Sequence, residues 1–209
     1  MPEPRLCGKV SKVLLSRVGI PEDYFYVTLD KYTGPKRYKE LVSKYLNHHK
    51  FSTSEGLGFF MYGANNSGKT TLAMIMAKFM LLNGYTVRVA MLRDIADVYA
   101  QGWSDPAVNM DFICNYRDVD FLVIDDLNKE FKNRATLAAL DLVLRHRSNK
   151  LLPTVVTTNL CPEDVEAEYG RSVGALLERH FVPMEFLDGN LTSDRLIDRN
   201  LKLLEALEG

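Results

Sequence analysis

Gly63-Ala64-Asn65-Asn66-Ser67-Gly68-Lys69-Thr70 is the stretch whose reading decides the fold, because it spells G-x-x-x-x-G-K-T. An apolar run of strand length, Leu57 to Tyr62, precedes it, and Thr71 to Leu82, dense in helix formers, follows it. Strand, glycine loop and helix are the context that gives the pattern a mechanism. The loop's backbone N–H groups and the positive end of the helix dipole form an anion site. The motif puts Lys69 at the β- and γ-phosphates and the Thr70 hydroxyl on Mg²⁺. Gly63, Ala64, Asn65, Asn66, Ser67, Gly68, Lys69, Thr70 and Thr71 are therefore the expected cradle of a nucleoside triphosphate. The competing reading is a glycine turn that happens to precede Lys-Thr, and correct flanks on both sides argue against it.

Outward from the loop the chain alternates. Asn83-Gly84 stops the helix, and Tyr85–Ala90 reads as the next strand. Residues 92–116 read as two short helices broken at Gly102-Trp103-Ser104-Asp105-Pro106, and Phe121–Asp126 as a buried strand ending in two carboxylates. A helix is expected over 133–149, a strand over Pro153–Asn159, helices from Pro162 and over about 173–180, and a last strand over Val182–Leu187. A terminal helix is expected over 193–207, capped by Thr192 or Ser193. Strands alternating with helices predict an α/β fold, a doubly wound parallel sheet of five strands with helices on both faces. The chemistry then lies at the strands' carboxyl edge.

Ahead of the loop, residues 1–18 space Leu6, Val10, Val13 and Leu14 as a helix does, with Arg5, Lys9, Lys12 and Arg17 between them. They read either as a basic amphipathic arm that docks on a partner or as a tail packed on its own domain. The aromatics Tyr24, Phe25, Tyr26 and Tyr32 could wall an adenine ring or be core. Residues 36–50 predict an amphipathic helix closed by His48-His49, which point roughly 100° apart and so read as surface residues, not a metal pair. Ser52–Gly56 is expected to be a loop. The domain division is thus an arm over 1–18, a core over 19–191 and a C-terminal helix over 192–209.

Composition limits the classes. Apolar residues make up 46% and charged residues 25%, which is ordinary for a folded globular protein. The net charge of −1 gives no overall attraction to nucleic acid, so any such contact needs a local patch. Cys7, Cys114 and Cys161 are far apart without CxxC spacing, which predicts reduced thiols and neither a disulfide framework nor a zinc site. No apolar run approaches the roughly 18 residues of a membrane span and no signal peptide is evident, so a cytoplasmic location without a membrane is expected.

Two later segments complete the expected site. Asp125 and Asp126 end an apolar strand downstream of the loop. One acid would hold the Mg²⁺ shell and the next orient or deprotonate the attacking water. Adjacent strand residues point to opposite faces, so the roles divide: Asp125 to metal, Asp126 to water. Asn159, ending the Thr157-Thr158 strand, would lie beside the Asp125 strand end and can hold the lytic water.

Gly-Ile-Pro at 19–21, GANNSGKTTLA at 63–73, FLVIDDL at 121–127 and LPTVVTTNL at 152–160 together resemble the AAA+ helicase-loader and transposition ATPases of the DnaC/IstB type. The resemblance covers roughly residues 18–195. It implies an ATP- and Mg²⁺-dependent ATPase that self-assembles and contacts single-stranded DNA. Such a protein delivers a hexameric replicative DNA helicase to DNA, in the host cytoplasm if the source is a phage. It also implies that Arg179, in Leu176–Phe181, enters the neighbouring subunit's site as an arginine finger, with Arg171 in reserve. In such relatives the helix pair before the two acids helps bind DNA. That nominates Arg93, Tyr99, Trp103 and Arg117, with Lys129, Lys132 and Arg134 after the acids. The family's lid is here reduced to one C-terminal helix, where Arg195 could touch phosphate. The alternatives are a transposition accessory ATPase acting with a transposase on duplex DNA, and a P-loop small-molecule kinase. Against the kinase stand the paired acids and the Thr-Thr-Asn strand.

Overall fold

The computed structural model describes residues 11–127 and 134–187. The expected terminal helix and single-helix lid, Arg195, Lys129, Lys132, Cys7 and the first ten residues of the arm lie outside the described residues. In chain order the elements are α1 (Lys12–Arg17), α2 (Lys36–Asn47), α3 (His49–Ser54), β1 (Gly58–Gly63), α4 (Lys69–Leu82), β2 (Val87–Ala90), α5 (Leu92–Gln101) and α6 (Pro106–Phe112). Then follow β3 (Phe121–Leu127), α7 (Arg134–Asn149), β4 (Thr154–Thr158), α8 (Pro162–Tyr169), α9 (Arg171–His180) and β5 (Phe181–Phe186).

The five strands form one parallel sheet in the order β2-β3-β4-β1-β5. Side-chain parity sorts the layers. Phe59, Met61, Phe121, Val123 and Val155 pack with α2 and α4 on one face. Phe60, Tyr62, Leu122, Ile124 and Val156 pack with α5, α7, α8 and α9 on the other. The unbroken apolar runs Phe59–Tyr62 and Phe121–Ile124 follow from burial on both faces. α4 is buried along most of its length and carries no polar stripe, because α2 and the 24–27 turn cover the side turned from the sheet. The expected doubly wound parallel sheet is thus the observed one.

Three local readings need correction. His49 does not close α2 but opens α3, and Ser52–Ser54 are helical. His49 is half-buried, its Nδ1 3.1 Å from the Tyr85 hydroxyl and its ring edge-on to Phe79; burial lowers its pKa. Two neighbouring histidines look like solvent residues until tertiary packing selects one. The helix expected over about 173–180 starts at Arg171, directly after the Gly170 break.

The lead-in docks on the sheet edge. Val89 N–H donates to Val18 O at 2.8 Å, and Leu15 is buried in the core. Gly19 follows with φ +92°, and a Cβ there would lie 2.0 Å from Val89 O. Only glycine lets the chain cross edge strand β2 this closely. Further on, the Lys78 ammonium donates to the carbonyls of Tyr24 (2.6 Å) and Val27, tying the 24–27 turn to α4. Burial pushes Lys78 down to about 8.

At the amino edge of the sheet a buried arginine does the equivalent. Arg147 is 1% exposed. It donates to Thr154 Oγ1 (2.8 Å), Val119 O (2.6 Å), Arg117 O (3.1 Å) and Pro153 O (2.7 Å). Burial pushes it down to about 9, against the pull of Asp118 and Asp120. Its guanidinium satisfies the carbonyls where the chain enters β3 and β4, which an apolar residue would leave bare. We expect Arg147→Met to lower unfolding free energy by about 3 kcal/mol in urea denaturation. A loss within error of zero would remove this staple.

Candidate functional site

The glycine loop leaves the carboxyl end of β1 and enters α4. Its entry is pinned by Ala64 N–H donating to Phe186 O at 2.7 Å. Asn66 takes φ 56°, left-handed backbone that asparagine tolerates, and Gly68 takes φ +96° directly before the first residue of α4. A Cβ at Gly68 would lie 2.8 Å from the Tyr32 hydroxyl and 2.9 Å from its ring, so this glycine makes room for an aromatic as well as for a turn. Tyr32 is 6% exposed, its hydroxyl has no hydrogen-bond partner, and burial raises its pKa. Of the aromatics ahead of the loop, Tyr32 is therefore the one that touches it.

Lys69 is buried and folds back on the loop. Its ammonium donates to Gly63 O at 2.9 Å and Ala64 O at 2.5 Å. Burial lowers its pKa, while Asp126 and Asp125 pull it up. The lysine thus caps the carbonyls of the loop it belongs to and must leave them to reach a phosphate.

Asp125 and Thr70 meet: Thr70 Oγ1 donates to Asp125 Oδ1 at 3.0 Å. A hydroxyl and a carboxylate oxygen converging beside a phosphate loop fit a hard cation that keeps several waters, as Mg²⁺ does. The same Oδ1 accepts from Thr157 Oγ1 at 2.6 Å, and that hydroxyl in turn accepts from Asp126 N–H at 2.8 Å.

The two acids sit at an irregularity of the sheet. The β3–β4 register shifts between Ile124 and Leu127, and Asp126 takes φ 59°. The strand is therefore irregular at the two acids, so simple alternation does not describe it, and both carboxylates act on Lys69. Thr157 and Thr158, the latter donating to Leu127 O at 2.9 Å, bridge the interrupted ladder with side chains. Asn159 follows, exposed, at the carboxyl edge. Thr157 and Thr158, expected only to lead into Asn159, are thus part of the site. A hydroxyl pair facing an Asp-Asp strand end was the available signal.

The remaining candidates are spread out. Arg179 is exposed near the end of α9 and makes no ion pair or hydrogen bond among the described residues; Arg171 is exposed at the start of that helix. Arg179 precedes β5, so it lies at the amino edge, whereas the loop lies at the carboxyl edge. Six residues at about 3.3 Å each separate the two by roughly 20 Å. Arg93 faces Asp94 at 3.6 Å, and Arg117 holds Asp118 with two 2.9 Å bonds. Tyr99 stands edge-on to Trp103, which is 68% exposed. Arg134 is exposed at the start of α7.

A cleft of about 860 Å³ runs along α4 between the lead-in and α2, lined by Phe25, Leu29, Tyr32, Leu46, Ile75 and Phe79. None of Gly63–Thr71 lines it, so it lies beside the phosphate loop, with Tyr32 common to both.

A parallel five-stranded sheet with this loop, this acid pair and this strand order defines a P-loop ATPase fold of the AAA+ class. No protein-family model matches the chain. The curated replicative helicase loader DnaC of Buchnera aphidicola subsp. Baizongia pistaciae is 23% identical over 153 residues, 70% of this chain and 61% of that protein. The chain thus matches less than two thirds of that relative's length. A crystal structure of the DnaC helicase loader superposes with TM-score 0.69 at 21% identity, covering 80% of this chain and 100% of that one. The replication initiator DnaA bound to AMPPCP and single-stranded DNA gives TM-score 0.67 at 18% identity, over 90% of this chain and 64% of that one. The chain has the DnaC-type AAA+ fold, in agreement with the resemblance carried by its motifs.

We expect Thr157→Val to leave ATP binding within a few-fold and to lower turnover by about 10–100-fold, through a displaced Asp125. Wild-type hydrolysis with an unchanged Mg²⁺ dependence would overturn that positioning role.

Proposed function

We propose that this chain is an ATP-dependent loader of a replicative helicase. It binds ATP with Mg²⁺, assembles with copies of itself, contacts single-stranded DNA and hydrolyses ATP. The observation that carries the reading is the meeting of Thr70, Asp125 and Thr157 at the mouth of a phosphate loop in a DnaC-type fold. Helicase delivery follows the similarity to DnaC, whose curated name is that activity.

The chemistry assigns each group a task. The N–H groups of Ala64–Thr70 receive the phosphate oxygens once Lys69 is released from the Gly63 and Ala64 carbonyls. Lys69 then compensates charge on the β- and γ-phosphates. Thr70 and Asp125 hold Mg²⁺, which when bound neutralises charge shared by those phosphates. Asp126, next to the acid that meets Thr70, sits at the bulge with left-handed backbone. It orients the attacking water and takes its proton, with Asn159 fixing that water from the next strand. Arg179, roughly 20 Å from its own loop, serves the site of a neighbouring subunit. The basic stretch Lys129, Lys132 and Arg134 supplies the phosphate contacts to DNA, and the cytoplasm is where helicase and DNA meet.

Lys69→Ala is expected to abolish ATP binding in a fluorescent-nucleotide titration. Asp126→Asn should bind ATP and stop hydrolysing it, and turnover at the wild-type rate would remove its role. Arg179→Ala should depress hydrolysis by about 10³-fold or more, and only in the assembled state. For delivery, the readout is transfer of the replicative helicase of the same cell onto a single-stranded DNA circle. Transfer that needs ATP and this chain supports the reading. A chain that ignores helicase and coats duplex DNA sinks it.

A further inference from the structure

The α5–α6 hairpin has a surface that the ATPase chemistry does not use. Trp103, the chain's single tryptophan, sits in its turn with 68% of its surface exposed, and Met110 on α6 is 58% exposed. The turn is held firmly. Tyr99 packs edge-on against Trp103 at 5.5 Å and continues inward to Phe112 at 5.3 Å, which is buried. Asp105 caps α6 by accepting from Ala107 N–H at 2.8 Å, and Pro106 presets its first turn. A π-helical turn, Ile113–Arg117, then brings the chain to buried Tyr116 and the start of β3. The tryptophan is thus a preorganised aromatic on a rigid support, which is the form binding hot spots take.

The charge along the hairpin is net negative. Between Leu92 and Phe112 there are four aspartates, Asp94, Asp97, Asp105 and Asp111, all exposed, against one cation, Arg93, which already faces Asp94 at 3.6 Å. Arg117, next along the chain, is tied to Asp118 by two bonds. A phosphate backbone approaching this hairpin meets net negative charge, the reverse of what single-strand binders provide. A protein surface with an apolar pocket edged by lysine and arginine meets an aromatic anchor inside a complementary rim.

We propose that the α5–α6 hairpin is a protein-docking surface, anchored by Trp103, for a basic-rimmed apolar pocket on the replicative helicase. This rests on the loader reading, and it assigns to the hairpin a partner other than the DNA expected from the sequence.

Because Trp103 is the only tryptophan, its emission can be followed with the full-length chain against a tryptophan-free variant of the helicase. Adding helicase should shift the emission to shorter wavelength, with affinity falling as salt rises. Trp103→Ala should weaken helicase binding, read by pull-down or sedimentation, by at least about tenfold while leaving ATP binding intact. Asp97→Lys should weaken it at low salt and have little effect at high salt; Asp97 is exposed and outside the nucleotide machinery. Helicase that binds Trp103→Ala as tightly as wild type, with unshifted emission, overturns the hairpin and leaves the loader reading standing. Helicase that does not bind the wild-type chain at all overturns both. Quenching by a thymidine oligonucleotide in place of a shift by helicase would make the hairpin a nucleic-acid surface. A shift produced by concentrating the chain alone would make it a contact between copies; either result overturns the proposal.

Discussion

One hydroxyl governs the geometry of the site. Thr157 Oγ1 donates to Asp125 and accepts from the backbone of Asp126, so a single side chain on β4 fixes both acids of β3. The arrangement exists because the β3–β4 ladder slips at this point. A left-handed non-glycine residue costs about 1–3 kcal/mol. Two side-chain hydrogen bonds from Thr157 and Thr158, each worth about 1 kcal/mol, offset much of that. The bulge can persist only where the neighbouring strand offers hydroxyls in place of the missing backbone partners. That ties Thr-Thr on one strand to Asp-Asp on the next.

The same logic of substituted partners runs through the phosphate loop. Lys69 occupies the carbonyls of Gly63 and Ala64, so the loop's own acceptors are satisfied by the charge that a phosphate would draw away. Burial works against that charge and the two aspartates support it. Under the proposed function, nucleotide entry would exchange carbonyl bonds for stronger charge-assisted ones to phosphate. Tyr32, wedged against Gly68 with its hydroxyl unpartnered, ties the loop to the lead-in and to the cleft along α4. The lead-in is in turn held by Lys78 and by the Gly19 crossing, so the loop's surroundings are fixed from residues far upstream of it.

What the sequence disclosed was whatever depends on local chemistry. The loop, α4, the five strands and the break at Gly102–Pro106 all follow from glycine, proline and apolar periodicity, and each stands within a few residues of its expected place. The bulge at Asp126 was illegible, because aspartate accepts left-handed backbone without requiring it and the register slip is a property of two strands together. Nothing in the sequence of the 133–149 helix marks Arg147 as buried, and its burial appears only once α7 is laid across the entrances to β3 and β4. His49 was hidden for the same reason. The hairpin's four aspartates are countable in the sequence, whereas the ion pairs that tie Arg93 to Asp94 and Arg117 to Asp118 appear only in the structure.

The finger role proposed for Arg179 would constrain how copies meet. The phosphate loop is at the carboxyl edge of the sheet and Arg179 at the amino edge, with the length of β5 between them. An arginine that completes a nucleotide site across that distance must bring the amino edge of one copy to the carboxyl edge of the next. Such a contact uses two different patches and is therefore heterologous. It cannot close as a two-fold dimer in which each copy gives and receives through one self-complementary face. It closes as a ring if the rotation per copy divides a full turn, and otherwise winds as an open helix, leaving one nucleotide site at an end without its arginine. If Arg179 has its proposed role, the number of competent sites would depend on assembly, and the P-loop would work as a joint between copies as well as a binding site within one.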